Sequence, residues 1–361
     1  MNFQEFKDFY KGKKILVTGH TGFKGTWMCH ALKLFGAEVI GYSLEPPTNP
    51  NLFEISEIEN EIKSYIGDIR DLSKLEEVFK KENPEIVIHM AAQPLVLESY
   101  KNPAYTYDVN VMGTVNVLEC IRKYESVVSF INVTTDKVYR NSETEKAFKE
   151  DDVLDGIDPY SNSKSCSELV TACYKRSFFD NSSRKVAIST CRAGNVIGGG
   201  DFSDNRIIPD CVRAALKGED IVVRNPNSIR PYQHVLESVM AYLYLAMEQY
   251  KHPSISGNYN IGPEEDDCIC TGQLVDIFIN KWNALNIKTT NKLDFDYSGP
   301  HEANYLKLDN SLFKNTFNWN NRWCIDEAVE KVIEWTKAYY YIEDIKEIIY
   351  KEIMSFFEKT R

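Results

Sequence analysis

Lys13-Lys14-Ile15-Leu16-Val17-Thr18 runs directly into Gly19-His20-Thr21-Gly22-Phe23-Lys24-Gly25 and then into the helical spacing of Trp27, Met28, Ala31 and Leu32. Strand, glycine turn and helix in that order leave few folds open, because the turn gathers backbone N–H groups at a helix N-terminus, where they attract phosphate. Gly19 permits the tight turn, Gly22 lets the backbone approach a pyrophosphate, and Gly25 lets the helix lie against the strand. Thr21, Phe23 and Lys24 share that turn as candidate cofactor contacts.

Further apolar runs at 38–42, up to Ile66-Gly67-Asp68, at 85–90 and at 129–133 alternate with amphipathic stretches over 72–82 and 104–124. This alternation predicts an α/β fold, a doubly wound parallel sheet of the Rossmann type. Beyond residue 193 the texture is more irregular, with Gly198-Gly199-Gly200, Asn225-Pro226-Asn227 and Gly262-Pro263. We therefore expect a dinucleotide-binding domain over 1–192 and a smaller α/β substrate lobe mainly over 193–361, with the chain crossing back between them. The tail from Trp335, with Ile342, Ile345, Ile349 and Phe356 at helical spacing, reads as a packed helix.

The strand ends carry the remaining cofactor candidates. Ser43 stands where a dinucleotide fold selective for NAD usually has Asp or Glu for the ribose 2′-hydroxyl, with Glu45 just beyond. His20 and Lys24 in the first turn leave room for the 2′-phosphate of NADP. Asp68 would accept a hydrogen bond from the adenine amino group, and Ala91-Ala92-Gln93 offers small residues where a backbone approaches the nicotinamide. Tyr160 and Lys164 fall on one helix face, where an ammonium can lower a phenol's pKa so that it takes a proton from an alcohol.

A formal net charge of -11 argues against general binding to nucleic acid or anionic membranes. The first residues carry acids and no sustained apolar run, and no later window approaches a membrane span. A cytoplasmic protein without nucleic-acid or membrane partners is expected. The nine cysteines include no CxxC, and Cys268 and Cys270 read as a strand end, so no metal is expected.

Gly19-xx-Gly22-xx-Gly25, His89-Met90-Ala91-Ala92, Asn110-Val111-Met112-Gly113-Thr114, Thr134-Thr135-Asp136-Lys137-Val138-Tyr139 and Tyr160-xxx-Lys164 occur in one order. In that order they resemble the extended short-chain dehydrogenase/reductases, in their nucleotide-sugar branch, over nearly the full chain. Four further segments, 41–48, 192–201, 230–235 and 301–309, are similar to those of the CDP-glucose 4,6-dehydratases. The resemblance implies NAD as cofactor, with Ile69 and Asn110 added to its contacts, and CDP-glucose as substrate. It implies that Tyr160 and Lys164 oxidise the sugar C4, with Thr135 on the 4-oxygen. Asp136 is then the acid for the departing 6-hydroxyl, and Lys137 either the base at C5 or a stabiliser of enolate charge. Asn195 and Arg230, then Arg206, are the candidate diphosphate contacts, and His301 a further substrate contact. Arg192 and Arg224 read equally as surface or interlobe charges, and Tyr139 and Tyr232 as possible flanks for a sugar or base. The helices around 104–122 and 160–178 resemble those through which the superfamily pairs, which implies a homodimer or higher homo-oligomer.

Overall fold

The computed structural model describes residues 1–285, 289–294 and 303–359. Seven parallel strands form its central sheet: β1 (Lys14–Thr18), β2 (Glu38–Ser43), β3 (Lys63–Ile66), β4 (Ile86–His89), β5 (Ser129–Val133), β6 (Ala187–Ala193) and β7 (Asn258–Ile261). Their spatial order is β7-β6-β5-β4-β1-β2-β3. The order reverses beside β1, so the carboxyl ends of β1 and β4 open a crevice of the kind that takes ligands in doubly wound sheets.

Period-two burial divides each strand between two cores. Ile15, Val17, Ile86, Ile88 and Ile131 face α1 (Phe3–Tyr10) and α2 (Phe23–Leu34). Leu16, Val87 and Phe130 face α3 (Leu72–Glu82) and α4 (Gly113–Lys123) on the other side. The helical run 103–123 contains a widened i→i+5 turn at Asp108–Met112 just before α4. Helix α5 (Pro159–Tyr174) starts with Pro159 in its first turn and Asp158 as N-cap, whose carboxylate accepts from Ser161 N–H.

A third apolar cluster is built by α6 (Ile207–Lys217), Ile221, Val223, α8 (Thr271–Asn283) and α9 (Ile325–Tyr340). Between its segments the chain returns to the sheet as α7 (Val235–Lys251), nearly all of which is buried, and β7. The tail departs from the single helix expected of it. Helix α9 ends at Tyr340, and α10 (Ile345–Glu358) begins anew with the Asp344 carboxylate capping Glu347 N–H. Ile342, expected on the packed face, sits in the turn at φ +56° and is 93% exposed, whereas Ile349, Ile353 and Phe356 are buried against the α2 side of the sheet. Among the described residues, no helix is long and apolar enough to cross a membrane.

Candidate active site

The glycine turn is set by backbone contacts. Gly19 has φ +78°, and a Cβ there would meet Ala91 N at 2.8 Å, so the turn presses on the end of β4. A Cβ on Gly25 would lie 2.1 Å from Gly19 O. At Gly22 it would meet only Gly19 O, at 3.5 Å, so this face of the turn lies open in front of the α2 N-terminus. An open face of N–H donors beside a helix start fits a pyrophosphate.

Around that turn the expected cofactor residues separate into two sets. Thr21 Oγ1 lies 2.9 Å from Ser43 Oγ and donates to Leu44 O, which joins the turn to the end of β2. Asp68 is already held by Arg70, whose Nη2 donates at 2.7 Å, so an adenine amino group would share that carboxylate. Ile69 is buried, and its carbonyl accepts from Asn116. Ala91 N–H donates to Thr18 Oγ1, Ala92 follows it along the crevice and Phe23 stands half-buried at the start of α2. Asn110 is 1% exposed and its amide is fully engaged: Oδ1 accepts from Gln93 N–H, and Nδ2 donates to Gln93 O and Ser163 Oγ. It braces the crevice wall from behind.

Neither residue suggested for a 2′-phosphate is placed for one. The His20 ring fills the space above Gly41, with Nε2 2.7 Å from Ser64 Oγ, and burial pulls it down to about 4, so it is neutral near pH 7. Lys24 turns toward Tyr242 on α7, its Nζ 3.4 Å from the phenol oxygen, and so faces the catalytic side. Burial, then the charges of Arg206 and Lys164, pull its ammonium down to about 8, with Asp136 opposing.

The chemistry-bearing residues converge where β5 ends and α5 begins. Thr135 is the N-cap of the short turn Asp136–Val138; its hydroxyl donates to Asp136 Oδ1 at 2.9 Å and also draws down the Tyr160 phenol. Asp136 is 1% exposed, and its Oδ2 has no hydrogen-bond partner among the described residues. Burial raises its pKa, against the pull of Lys137, Thr135 and Arg230. A buried carboxyl raised in this way is suited to carry a proton rather than a charge. Lys137 follows, half-buried, with its N–H toward Thr135 Oγ1.

Burial pushes the Tyr160 phenol up to about 12, against the pull of Thr135 and Arg206. The Lys164 ammonium donates to Val133 O at 3.1 Å, and burial brings it down to about 8.

On the substrate side, Arg206 N-caps α6, pairs with Asp201 at 3.2 Å and acts electrostatically on both Tyr160 and Lys24. Arg230 is buried and its charge reaches Asp136. Asn195 O accepts from Gln233 N–H, which holds its loop against the segment 229–234. His301 lies outside the described residues. Arg192 is neither surface nor interlobe: it is 1% exposed and paired with Glu168. Arg224 pairs with Asp210 at 3.5 Å. Tyr139 is buried and stacked on Phe148, and Tyr232 is buried against Thr271, so both pack in cores rather than flank a ligand. Sequence reasoning missed Tyr242 and Glu168, which lie on largely buried helical faces with no motif to mark them.

A family model described as GDP-mannose 4,6 dehydratase matches residues 16–332, a span that holds the glycine turn, the Thr135–Lys137 turn, Tyr160 and Lys164. The chain belongs to the nucleotide-sugar 4,6-dehydratase family. It is 41% identical to the CDP-glucose 4,6-dehydratase of Salmonella typhimurium over 98% of this chain and 99% of that one. It is 27% identical to the dTDP-D-glucose 4,6-dehydratase of Dictyostelium discoideum, over 90% of this chain and 82% of that one. Among solved structures it shares its fold with the dTDP-glucose 4,6-dehydratase of Bacillus anthracis in complex with NAD, with a TM-score of 0.75 at 21% identity, over 93% of this chain and 100% of that one. The epimerase Mth375 of Methanothermobacter thermautotrophicus aligns with a TM-score of 0.80 at 22% identity, over 96% of this chain and 97% of that one.

Proposed function

We propose that this chain is a CDP-glucose 4,6-dehydratase, a lyase that converts CDP-D-glucose to CDP-4-keto-6-deoxy-D-glucose and water. The observation that carries the reading is the buried Asp136 carboxyl, raised in pKa and bonded by the Thr135 hydroxyl, which also draws down the Tyr160 phenol. An alcohol base and an acid set beside one hydroxyl fit oxidation and elimination on a single sugar. An epimerase needs the first and has no use for the second.

Bound NAD would supply the reversible hydride acceptor that C4 oxidation and C6 reduction need. The open glycine turn with Thr21, Ser43, Asp68 and the 91–93 segment would hold it, with Gly22 against the pyrophosphate. NAD is favoured over NADP because His20 is neutral and buried and Lys24 faces Tyr242. Tyr160, as phenolate, takes the proton of the 4-hydroxyl, and a charged Lys164 stabilises that anion. The 4-ketone then acidifies C5, where Lys137 takes the proton and gives it back to C5 when hydride reaches C6. Asp136 gives its proton to the departing 6-hydroxyl, which leaves as water. Arg206, Arg230 and Asn195 meet the diphosphate, a fork of guanidinium donors being suited to its oxygens.

We assign the clusters around α6, α8 and α9 to a substrate lobe, and the sheet with its flanking helices to the cofactor domain. Exposed Tyr105, Met112, Leu169 and Phe178 on the 103–123 and 159–179 helices support a homodimer through those faces, which sedimentation would test. The activity is tested with CDP-, dTDP-, UDP- and GDP-glucose, with NAD or NADP added. CDP-glucose should be converted fastest, and a clear preference for dTDP- or UDP-glucose would overturn the assignment.

A further inference from the structure

Glu168 lies on α5 one turn beyond Lys164 and two beyond Tyr160, and the proton chemistry above uses neither it nor its partner Arg192 on β6. Their side chains are 2% and 1% exposed. Arg192 donates from Nε to both carboxylate oxygens, at 3.0 and 2.8 Å, and from Nη2 at 2.6 Å. Burying two ions is costly, and an apolar pair of similar volume usually packs as well or better, so packing alone does not account for the charges.

The connections of the pair give it a function. The same carboxylate accepts from Thr134 Oγ1 at 2.5 Å, and Thr134 directly precedes Thr135. Arg192 Nη1 donates to Tyr139 OH at 2.7 Å and to Glu150 O at 2.8 Å, and Tyr139 OH donates to Asn260 on β7 at 2.6 Å. One ion pair thus joins the helix that carries Tyr160 and Lys164 to the strand end that carries Thr135 and Asp136, and both to β6 and β7. We propose that Glu168 and Arg192 are positioning residues: together they set the register of the Tyr160–Lys164 helix face against the Thr135–Asp136 strand end, and Glu168 supplies a fixed anion one turn from Lys164.

The electrostatics agree. Burial draws the Lys164 ammonium down, and Glu168 is the charge that opposes it. The other titratable groups that couple to Lys164, Lys24 from α2 and His89 from β4, gain nothing from a positive neighbour. The proposal rests on the functional reading in that Tyr160 and Lys164 must perform the alcohol oxidation.

Lys164 stabilises the phenolate only as an ammonium, so turnover falls as pH rises through its pKa, and removing a nearby anion lowers that pKa. Glu168→Gln should therefore move the alkaline limb of the kcat profile to lower pH by about one unit, the low end of a neighbouring carboxylate's effect. Its kcat at the optimum should fall about 10-fold, with KM for the nucleotide sugar changed by less than about 2-fold. The double variant Glu168→Leu/Arg192→Met should regain the wild-type melting temperature while keeping the displaced limb, and it carries the test if the single variant does not fold. Wild-type kcat and an unmoved limb in the double variant would reduce the pair to packing and overturn the proposal. A wild-type enzyme that prefers another nucleotide-glucose would overturn the substrate reading instead, and the comparison of limbs would still decide the role of the pair with that substrate.

Discussion

Gly22 and Gly25 stand in one turn, and the structure gives them different tasks. A methyl group on Gly25 would lie 2.1 Å from Gly19 O, 2.8 Å from Gly19 C and 2.8 Å from His20 Cα. All three are backbone atoms of a turn wedged against Ala91, so none can swing aside as a side-chain end would. Reaching an ordinary contact of about 3.4 Å requires α2 to move away from β1 by roughly 1 Å, and overpacking of that kind costs about 2–3 kcal/mol. Gly25→Ala should lower the melting temperature by roughly 5 °C. A methyl group on Gly22 meets only Gly19 O, at 3.5 Å, and φ there is −77°, an angle open to any residue. Gly22→Ala should therefore leave stability within about 0.5 kcal/mol of wild type. Its cost should appear only with cofactor, because the methyl occupies the face on which the pyrophosphate would lie: the Kd for NAD should rise about 10-fold or more, a loss of about 1.4 kcal/mol. Thermal melts without NAD and calorimetric titration with it separate the two effects. If Gly22→Ala binds NAD as wild type does, the pyrophosphate does not lie on that face; if Gly25→Ala melts with wild type, the packing argument is wrong.

Tyr160→Phe removes the alcohol base and should lower turnover about 10²-fold or more while NAD affinity is retained; near-normal turnover would remove Tyr160 from the mechanism. Lys137→Met should still accumulate reduced nicotinamide with CDP-glucose, but exchange of the C5 hydrogen with deuterated solvent should drop about 10²-fold. Exchange at the wild-type rate would show that Lys137 is not the base. Burial holds His20 at about 4 and both His30 and His89 at about 3, all below the unfolded value. Their stabilisation is complete above about pH 6.5 and is lost as pH falls toward the folded values, on the order of 2 kcal/mol each by pH 5. Urea midpoints should fall over that range, and a flat profile would contradict the burial. Among the described residues both His30 nitrogens lack partners, and the ring is fully buried, so His30→Leu should raise stability by about 1 kcal/mol and reduce the acid slope.

The parallel sheet, the glycine turn and the shared helix of Tyr160 and Lys164 were legible in the sequence, because each is a local signal. Strand periodicity, a turn that only glycine can make and a four-residue helical spacing act within one element or its immediate neighbour. What side chains do across elements was not legible. Lys24 sits two residues from Gly22 and looked like a phosphate contact, yet it points to Tyr242, more than two hundred positions away. Arg192 read as a surface or interlobe charge, whereas its strand is flanked on both sides and its guanidinium meets Glu168. Ile342 kept perfect helical spacing and still faces solvent, because Asp344 caps a new helix two residues later. The Tyr160 pKa turned on burial, which no spacing records. Local geometry is set by bonded and near-neighbour terms that the sequence contains outright, whereas burial, pairing and charge environment depend on which distant segments close over a residue. Those were decided only by the tertiary structure.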